Sequence, residues 1–273
     1  MTAFENLKSL AQRVVDGSLV AIAPDYSWVP MALVRELIRR KAKGLSLLTV
    51  PISGMAADIL IGAGVVVRIE TAAVTLGEIG LAPRFTDAVE SGSLSVLDST
   101  CPAIHTALQA SEKGVPFMPL GGLIGSDLVH NRDDWKVIDD PLGLGGGPVL
   151  LLPAIKPDVA LFHSSRADKN GNVWIGRRRE LMTMAHASKE ALVTVEEIEN
   201  RDFLEDENMA AGTLPAMYVK AIAKVKKGAW PQALSGYYER DLAHIRAYAK
   251  QAKTREGFQA YLASQVLAED LHE

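Results

Sequence analysis

Residues 155–198, IKPDVALFHSSRADKNGNVWIGRRRELMTMAHASKEALVTVEEI, constrain the fold of this chain more than any other stretch. Strand, polar turn, strand, helix and strand follow one another there without a break. Val159 and Leu161 on one side, and Val173 and Ile175 on the other, flank the turn Ala167-Asp168-Lys169-Asn170-Gly171-Asn172. Asn170-Gly171 is the dipeptide that a tight turn with positive φ demands. Leu181, Met184 and Ala185 then fall at helical spacing, and 191–195 is a short apolar strand ending in Glu196-Glu197.

The same alternation runs through the rest of the chain and predicts the α/β class: an open, mostly parallel sheet with flanking helices. Strands are expected over 18–23, 45–50, 65–74 and 94–97, and from 116 into a glycine loop ending at 125. Helices are expected from Met31, whose stripe Val34, Leu37 and Ile38 is closed by Gly44, and over 55–61, 84–90 and about 102–113. The opening MTAFENLKSLAQRVVDG reads as an amphipathic helix rather than a signal peptide, with acidic residues early and no apolar core. Residues 126–148 read as a long irregular excursion, 201–212 as an acidic connector, and 237–266 as a helical tail of alternating charge. One domain is expected over 1–273, with a helical extension over about 235–273.

Composition excludes several classes of function. With 273 residues, 48% of them apolar, the chain can bury a substantial core. Its single cysteine, Cys101, leaves no internal disulfide framework and no multi-cysteine metal site, which fits a reducing cytoplasm. His130, His163, His186 and His244 lack metal-ligand spacing, so no metal is expected. A net charge of −4 on a mixed-sign surface lacks the basic patch of a nucleic-acid binder. No apolar run reaches the roughly 18 to 20 residues of a membrane span.

In an open parallel sheet, ligands bind at the carboxyl ends of strands, which directs attention to loops 24–30, 51–54, 75–83, 98–102 and 119–126. Ser53, beside Gly54, either caps the following helix or donates to a substrate carboxylate. Glu78, in TLGEIG, either orients a partner group or is solvated. Pro102 suits the first helical position and would place Cys101 at a helix mouth, where the macrodipole favours a reactive thiolate. The alternative is a small packed hydrophobe. His105 follows one turn later. Gly121 and Gly122 offer bare backbone N–H groups to an anion, whereas Gly145-Gly146-Gly147 lacks the Lys-Ser/Thr of a phosphate loop and reads as a linker.

Six pieces in intact order resemble the α subunit of class I coenzyme A transferases. They are PMALVRELI, LIGAGVVVRIE, TLGEIG with FTDAVESGSLSV, GVPFMPLGGLIGSDL, the 155–198 run with its D-x-x-G-N turn and T-V-E-E-I ending, and LPAMYVKAI with the tail YYERDLAHIRAYAKQAKTREGFQAYL. The last is most similar to the glutaconate-type branch. The resemblance implies two homologous chains, α and β, often paired as α2β2, acting on a coenzyme A thioester as substrate with no permanently bound cofactor. It implies ping-pong transfer: a glutamate on the β chain attacks the acyl-CoA thioester, an anhydride gives a glutamyl-CoA thioester, and CoA passes to a carboxylic acid. No glutamate of this chain stands in for that nucleophile. The α chain is expected to supply the opposing wall, with Ser53 and Gly54 toward the acyl carboxylate, Glu78 nearby, and Gly121 and Gly122 lining the pocket.

One departure is notable. The family has a glycine-rich loop after its first strand, whereas 23–30 here contains no glycine and inserts bulk. Relatives that hydrolyse, ring-open or decarboxylate acyl-CoA compounds keep two alternatives open: an acyl-CoA hydrolase or lyase, and a non-catalytic specificity subunit. In some of them the α chain contributes an active-site acid near the position of Cys101, which makes Cys101 a candidate for a direct role.

Overall fold

The computed structural model describes residues 2–268. The chain opens with β1 (Ala3–Glu5), α1 (Leu7–Gln12), β2 (Leu19–Ile22), α2 (Met31–Arg39), β3 (Leu45–Thr49) and β4 (Ile52–Ser53). It continues through α3 (Met55–Gly62), β5 (Val66–Thr71), β6 (Ala73–Val74), α4 (Pro83–Glu90), β7 (Ser95–Asp98) and α5 (Cys101–Glu112). An outlying unit of β8 (Phe117–Leu120), α6 (Asp127–His130), β9 (Lys136–Ile138) and β10 (Val149–Pro153) follows. Then come β11 (Val159–Asp168), β12 (Val173–Trp174), α7 (Arg179–Ala187), β13 (Glu190–Glu199), α8 (Glu207–Ala210), β14 (Thr213–Leu214) and β15 (Val219–Lys224). The helices α9 (Leu242–Gln251) and α10 (Arg255–Tyr261) and a π-helical turn over Leu262–Val266 form the tail. Residues 269–273 of the expected extension lie outside the described residues.

The main sheet runs β1-β15-β13-β11-β2-β3-β5-β7 with every pair along that path parallel. Both faces are covered, as parallel strands require. Apolar side chains of α1 to α4, α9 and α10 pack on one face, and those of α5 and α7 on the other. Strand order reverses between β11 and β2. At such a reversal the loops leaving neighbouring strands diverge and open a crevice at the carboxyl edge.

The 155–198 run forms β11, β12, α7 and β13, and its turn has a specific cause. Asp168 is fully buried, and its carboxylate accepts the Asn170 and Asn172 N–H groups (each 2.9 Å), Asn172 Nδ2 (2.7 Å) and the Phe203 N–H (2.9 Å). Gly171 sits at φ +89, and a Cβ there would lie 2.5 Å from Cβ of Thr2. Gly171→Ala is therefore expected to cost about 2 kcal/mol, from left-handed strain and overpacking together, read as a lower urea midpoint at unchanged slope.

Three local expectations change. The opening segment is not one helix: Ala3, Phe4 and Glu5 pair with Ala221, Ile222 and Ala223, because a distant strand edge satisfies their backbone better than local helix does. The 126–148 excursion contains α6 and β9, and β8, β10 and β9 make a small antiparallel sheet. Buried Arg132 pins this unit to the main sheet, donating to Glu70 (2.9 Å), the Asp98 carbonyl (3.0 Å) and Asp134 (2.8 Å) while stacking on Trp135. The expected strand over 65–74 breaks into β5 and β6, which sends Ala73 and Val74 to pair with β4 beside the crevice.

The tail packs across α2, α3 and α4. Tyr248 donates to the buried Asp58 (2.5 Å), Arg84 donates to the Lys253 carbonyl (3.1 Å), and Arg39 to the Val266 carbonyl (2.6 Å). Among the described residues no helix is long and apolar enough to cross a membrane.

Candidate functional site

A cavity of about 430 Å³ opens where the loops after β2, β3 and β6 converge. Asp25 and Gly77 come from those loops, and Ser53 and Gly54 from the end of the short β4 that follows β3; Arg178, from the segment entering α7, and Gln232 and Arg240, from the loop before α9, close it.

Asp25 organises the wall. Its carboxylate accepts the Gly54 N–H (3.2 Å), the Met55 N–H (3.0 Å) and Gln232 Nε2 (2.7 Å). It thus caps the start of α3 from another loop, the task that one of the two sequence readings gave to Ser53. Burial pushes its carboxyl up to about 6, against the pull of those N–H donors and of Arg240. Freed from capping, the Ser53 hydroxyl faces the cavity 2% exposed and without a hydrogen-bond partner among the described residues. A buried orphan hydroxyl is costly unless a ligand completes it.

The two arginines also hold unbonded donors, although Asp25 acts on Arg240 and Glu180 on Arg178 through space. Among the described residues neither Arg178 nor Arg240 forms a side-chain hydrogen bond or close ion pair, and Arg240 Nε is buried without a partner. Burial lowers the pKa of Arg178. Its guanidinium lies 3.5 Å from the centroid of the Trp28 ring. The Ser27 hydroxyl donates to Glu180, joining the glycine-free loop to the first turn of α7.

The loop that brings Gln232 inward is anchored by a buried network. Glu196 accepts from Tyr238 (2.8 Å) and from the Lys227 and Gly228 N–H groups (2.9 and 3.1 Å), and faces His163 Nε2 at 3.1 Å. Burial raises the Glu196 carboxyl, but the bonds from His163 and Tyr238 outweigh it and hold the group below its ordinary value. Burial pushes the His163 ring down, and its Nδ1 stands within hydrogen-bond distance of the Thr194 hydroxyl (2.9 Å).

Of the residues singled out from sequence, Ser53 and Gly54 stand together in the cavity. Glu78 is exposed in the 3₁₀ turn Gly77–Ile79, one residue beyond the lining. Cys101 is exposed as the first residue of α5, with Pro102 second and Thr100 as the cap. It is not among the residues that line the cavity; burial raises the phenol of the lining Tyr26, with smaller contributions from Glu180 and Cys101. Burial lowers the His105 ring, one turn along α5. Gly121 and Gly122 stand exposed after β8, with open space where a Cβ would be, and do not line the cavity of this chain. Sequence reading missed Asp25, Arg178, Gln232 and Arg240. Asp25 lay in a strand-exit loop and Arg178 in an arginine run, but Gln232 and Arg240 carried no local signal.

An α/β sheet thus carries, in a crevice at its strand reversal, an unpartnered hydroxyl and two arginines with unbonded donors. The chain matches the model of the coenzyme A transferase family over residues 4–225 and belongs to that family. It is 32% identical over 272 residues to the A-type chain of 3-oxoadipate CoA-transferase from Pseudomonas knackmussii, covering 96% of this chain and 93% of the relative. The crystal structure of glutaconate coenzyme A-transferase from Acidaminococcus fermentans superposes with a TM-score of 0.89 at 26% identity, covering 99% of this chain and 90% of that one. The decarboxylase AibA/AibB superposes at 0.81 with 28% identity over 96% of this chain and 98% of that one. The chain is the α-type subunit of a two-chain CoA transferase.

Proposed function

We propose that this chain, joined to a homologous β subunit in a cytoplasmic α2β2 assembly, moves CoA between an acyl-CoA and a small dicarboxylic or 3-oxo acid. Its relatives carry out this type of transfer on 3-oxoadipate and glutaconate, as their names state. The observation that carries the reading is the buried, unpartnered Ser53 hydroxyl beside the capped start of α3, in a cavity that also holds two arginines with unbonded donors.

The nucleophilic glutamate belongs to the partner chain in this reading. Carboxylate attack on a thioester develops negative charge on the carbonyl oxygen, and it goes fastest where fixed donors await that charge and water is kept out. This chain supplies the donors. Ser53 orients the acid, Asp25 holds Gly54 and Met55 in place by engaging their N–H groups, and Tyr26 and Trp28 form the apolar rim.

Two measurements on the assembled enzyme test this. Incubation with an acyl-CoA is expected to leave a CoA adduct on the partner chain, lost when the partner's glutamate is replaced; no adduct together with loss of carbon dioxide would favour a decarboxylase. Ser53→Ala is expected to lower kcat/KM for the acid by about 10- to 100-fold with little change in melting temperature, because the hydroxyl bonds nothing within the fold. An unchanged kcat/KM would remove Ser53 from the site.

A further inference from the structure

We propose that Arg178, held on Trp28, and Arg240 form a specificity clamp for the second, non-reacting carboxylate of a dicarboxylic acid. The inference rests on the acid-binding reading of the cavity and deepens it.

Trp28 carries the first observation. Its backbone lies at φ +63, in the left-handed region where a bulky aromatic residue is a genuine outlier. Neighbouring contacts impose the conformation: the Trp28 carbonyl accepts the His163 N–H at 2.7 Å, and the side chain is 4% exposed. Strain of this kind collects at ligand clamps, where the surrounding fold over-determines it. What it accomplishes here is visible. The indole becomes a buried platform facing the cavity, and Cζ of the Arg178 guanidinium lies over it at 3.5 Å from the ring centroid. A stacked guanidinium keeps its in-plane N–H donors free, which suits bidentate binding of a carboxylate.

Charge carries the second observation. Among the described residues Arg178 and Arg240 line one cavity without a carboxylate in hydrogen-bond contact with either, Glu180 acting on Arg178 and Asp25 on Arg240 only through space. Asp25, the acid of that wall, is already engaged by two backbone N–H groups and Gln232. Glu180, the nearest acid in α7, is bonded to Ser27. Half-buried arginines whose nearest acids are bonded elsewhere keep donors that an anionic ligand can take up.

Chemistry decides which carboxylate they hold. A carboxylate gripped by two guanidinium groups is a poor nucleophile, because its charge is neutralised and its lone pairs are occupied. The reacting carboxylate must stay free to meet the thioester or the partner's glutamate. The arginines therefore take the other end. The glycine-free loop that departs from the family pattern is the loop that supplies this platform.

The test is calorimetric binding to the assembled two-chain enzyme of succinate, glutarate and adipate, each against the monocarboxylic acid of equal length. Wild type is expected to prefer at least one diacid over its monoacid by about 100-fold, and Arg178→Gln to lose about 10- to 100-fold of diacid affinity while the monoacid is little changed. Trp28→Leu, which keeps bulk but removes the π face, is expected to weaken the diacid about tenfold, and Trp28→Phe to restore most of it. Equal binding of diacids and monoacids by wild type, or equal loss of both in Arg178→Gln, overturns the clamp. Because binding is read without turnover, diacid binding with no CoA transfer would instead refute the transferase reading.

Discussion

Gly54→Ala in the assembled enzyme is expected to lower kcat/KM for the acid by about 100-fold, a larger effect than any other single methyl group added near the cavity. A Cβ at position 54 would lie 2.6 Å from Oδ2 of Asp25 and 2.7 Å from the Thr75 carbonyl oxygen. Neither neighbour can give way cheaply. Thr75 follows the short pairing of β4 with β6, and its N–H donates to the Ser53 carbonyl at 3.0 Å. Asp25 would have to leave the start of α3, stranding the Gly54 and Met55 N–H groups and releasing Gln232. Ser53 would shift with them, and displacements of about 1 Å near reacting groups cost about 100-fold in rate. Steady-state kinetics with a parallel melting curve checks this. Gly146→Ala in the outlying unit, where a Cβ would meet only Asp140 Oδ2 at an ordinary 4.0 Å, is the control and should leave both unchanged. Wild-type kinetics in Gly54→Ala would show that the close packing around Gly54 is irrelevant to catalysis.

The second large effect concerns Asp58. Its carboxylate is fully buried, accepts the Phe85 N–H at 2.7 Å at the start of α4, and accepts the Tyr248 hydroxyl from the tail. Burial pushes its pKa up to about 6 from an ordinary 3.8, against the pull of Tyr248 and the backbone N–H groups. Because the folded value lies above the unfolded one, the stabilisation is complete below the unfolded pKa and is lost as pH rises through about 6. The gap between 3.8 and about 6 corresponds to roughly 3 kcal/mol. Asp58→Asn is neutral at every pH and can keep both hydrogen bonds, with Tyr248 then accepting. Relative to wild type it is expected to gain up to roughly 3 kcal/mol between about pH 4 and pH 7. Urea unfolding of both proteins across that range reads the difference directly, and the contributions of Asp25 and the histidines cancel in it. Asp58→Ala is expected to lose about 3 kcal/mol even at low pH, since it leaves the Phe85 N–H and the Tyr248 hydroxyl unpaired in the core. A pH-independent difference between Asp58→Asn and wild type would contradict the burial of an ionisable group at this point.

Legibility in the sequence followed the range of the interactions involved. The Asp168 turn was readable because its determinants, Asp168, Asn170, Gly171 and Asn172, are neighbours in the chain and bond one another's backbone. Ser53 and Gly54 were readable as a strand-to-helix junction for the same reason, although the residue that caps the helix was not. Asp25 does that work from 29 positions away, and the release of the serine from capping shows only when the two loops are placed side by side. The N-terminal segment misled for a related reason: Ala3 to Glu5 have no strand pattern of their own and become one through β15, more than 200 residues later.

Local periodicity and turn chemistry thus determined the class of fold and the order of its elements. Alternating strand and helix patterns bury apolar faces in only a few ways, and a parallel sheet covered on both sides is the one these patterns satisfy. Tertiary structure alone decided the composition of the site. Asp25, Arg178, Gln232 and Arg240 meet there because the sheet reverses its strand order between β2 and β11, so that loops from distant parts of the chain share one edge. No periodicity records that meeting. The free energy of each side chain in the cavity depends on which charges and donors face it across the gap, and those partners become neighbours only once the sheet has formed.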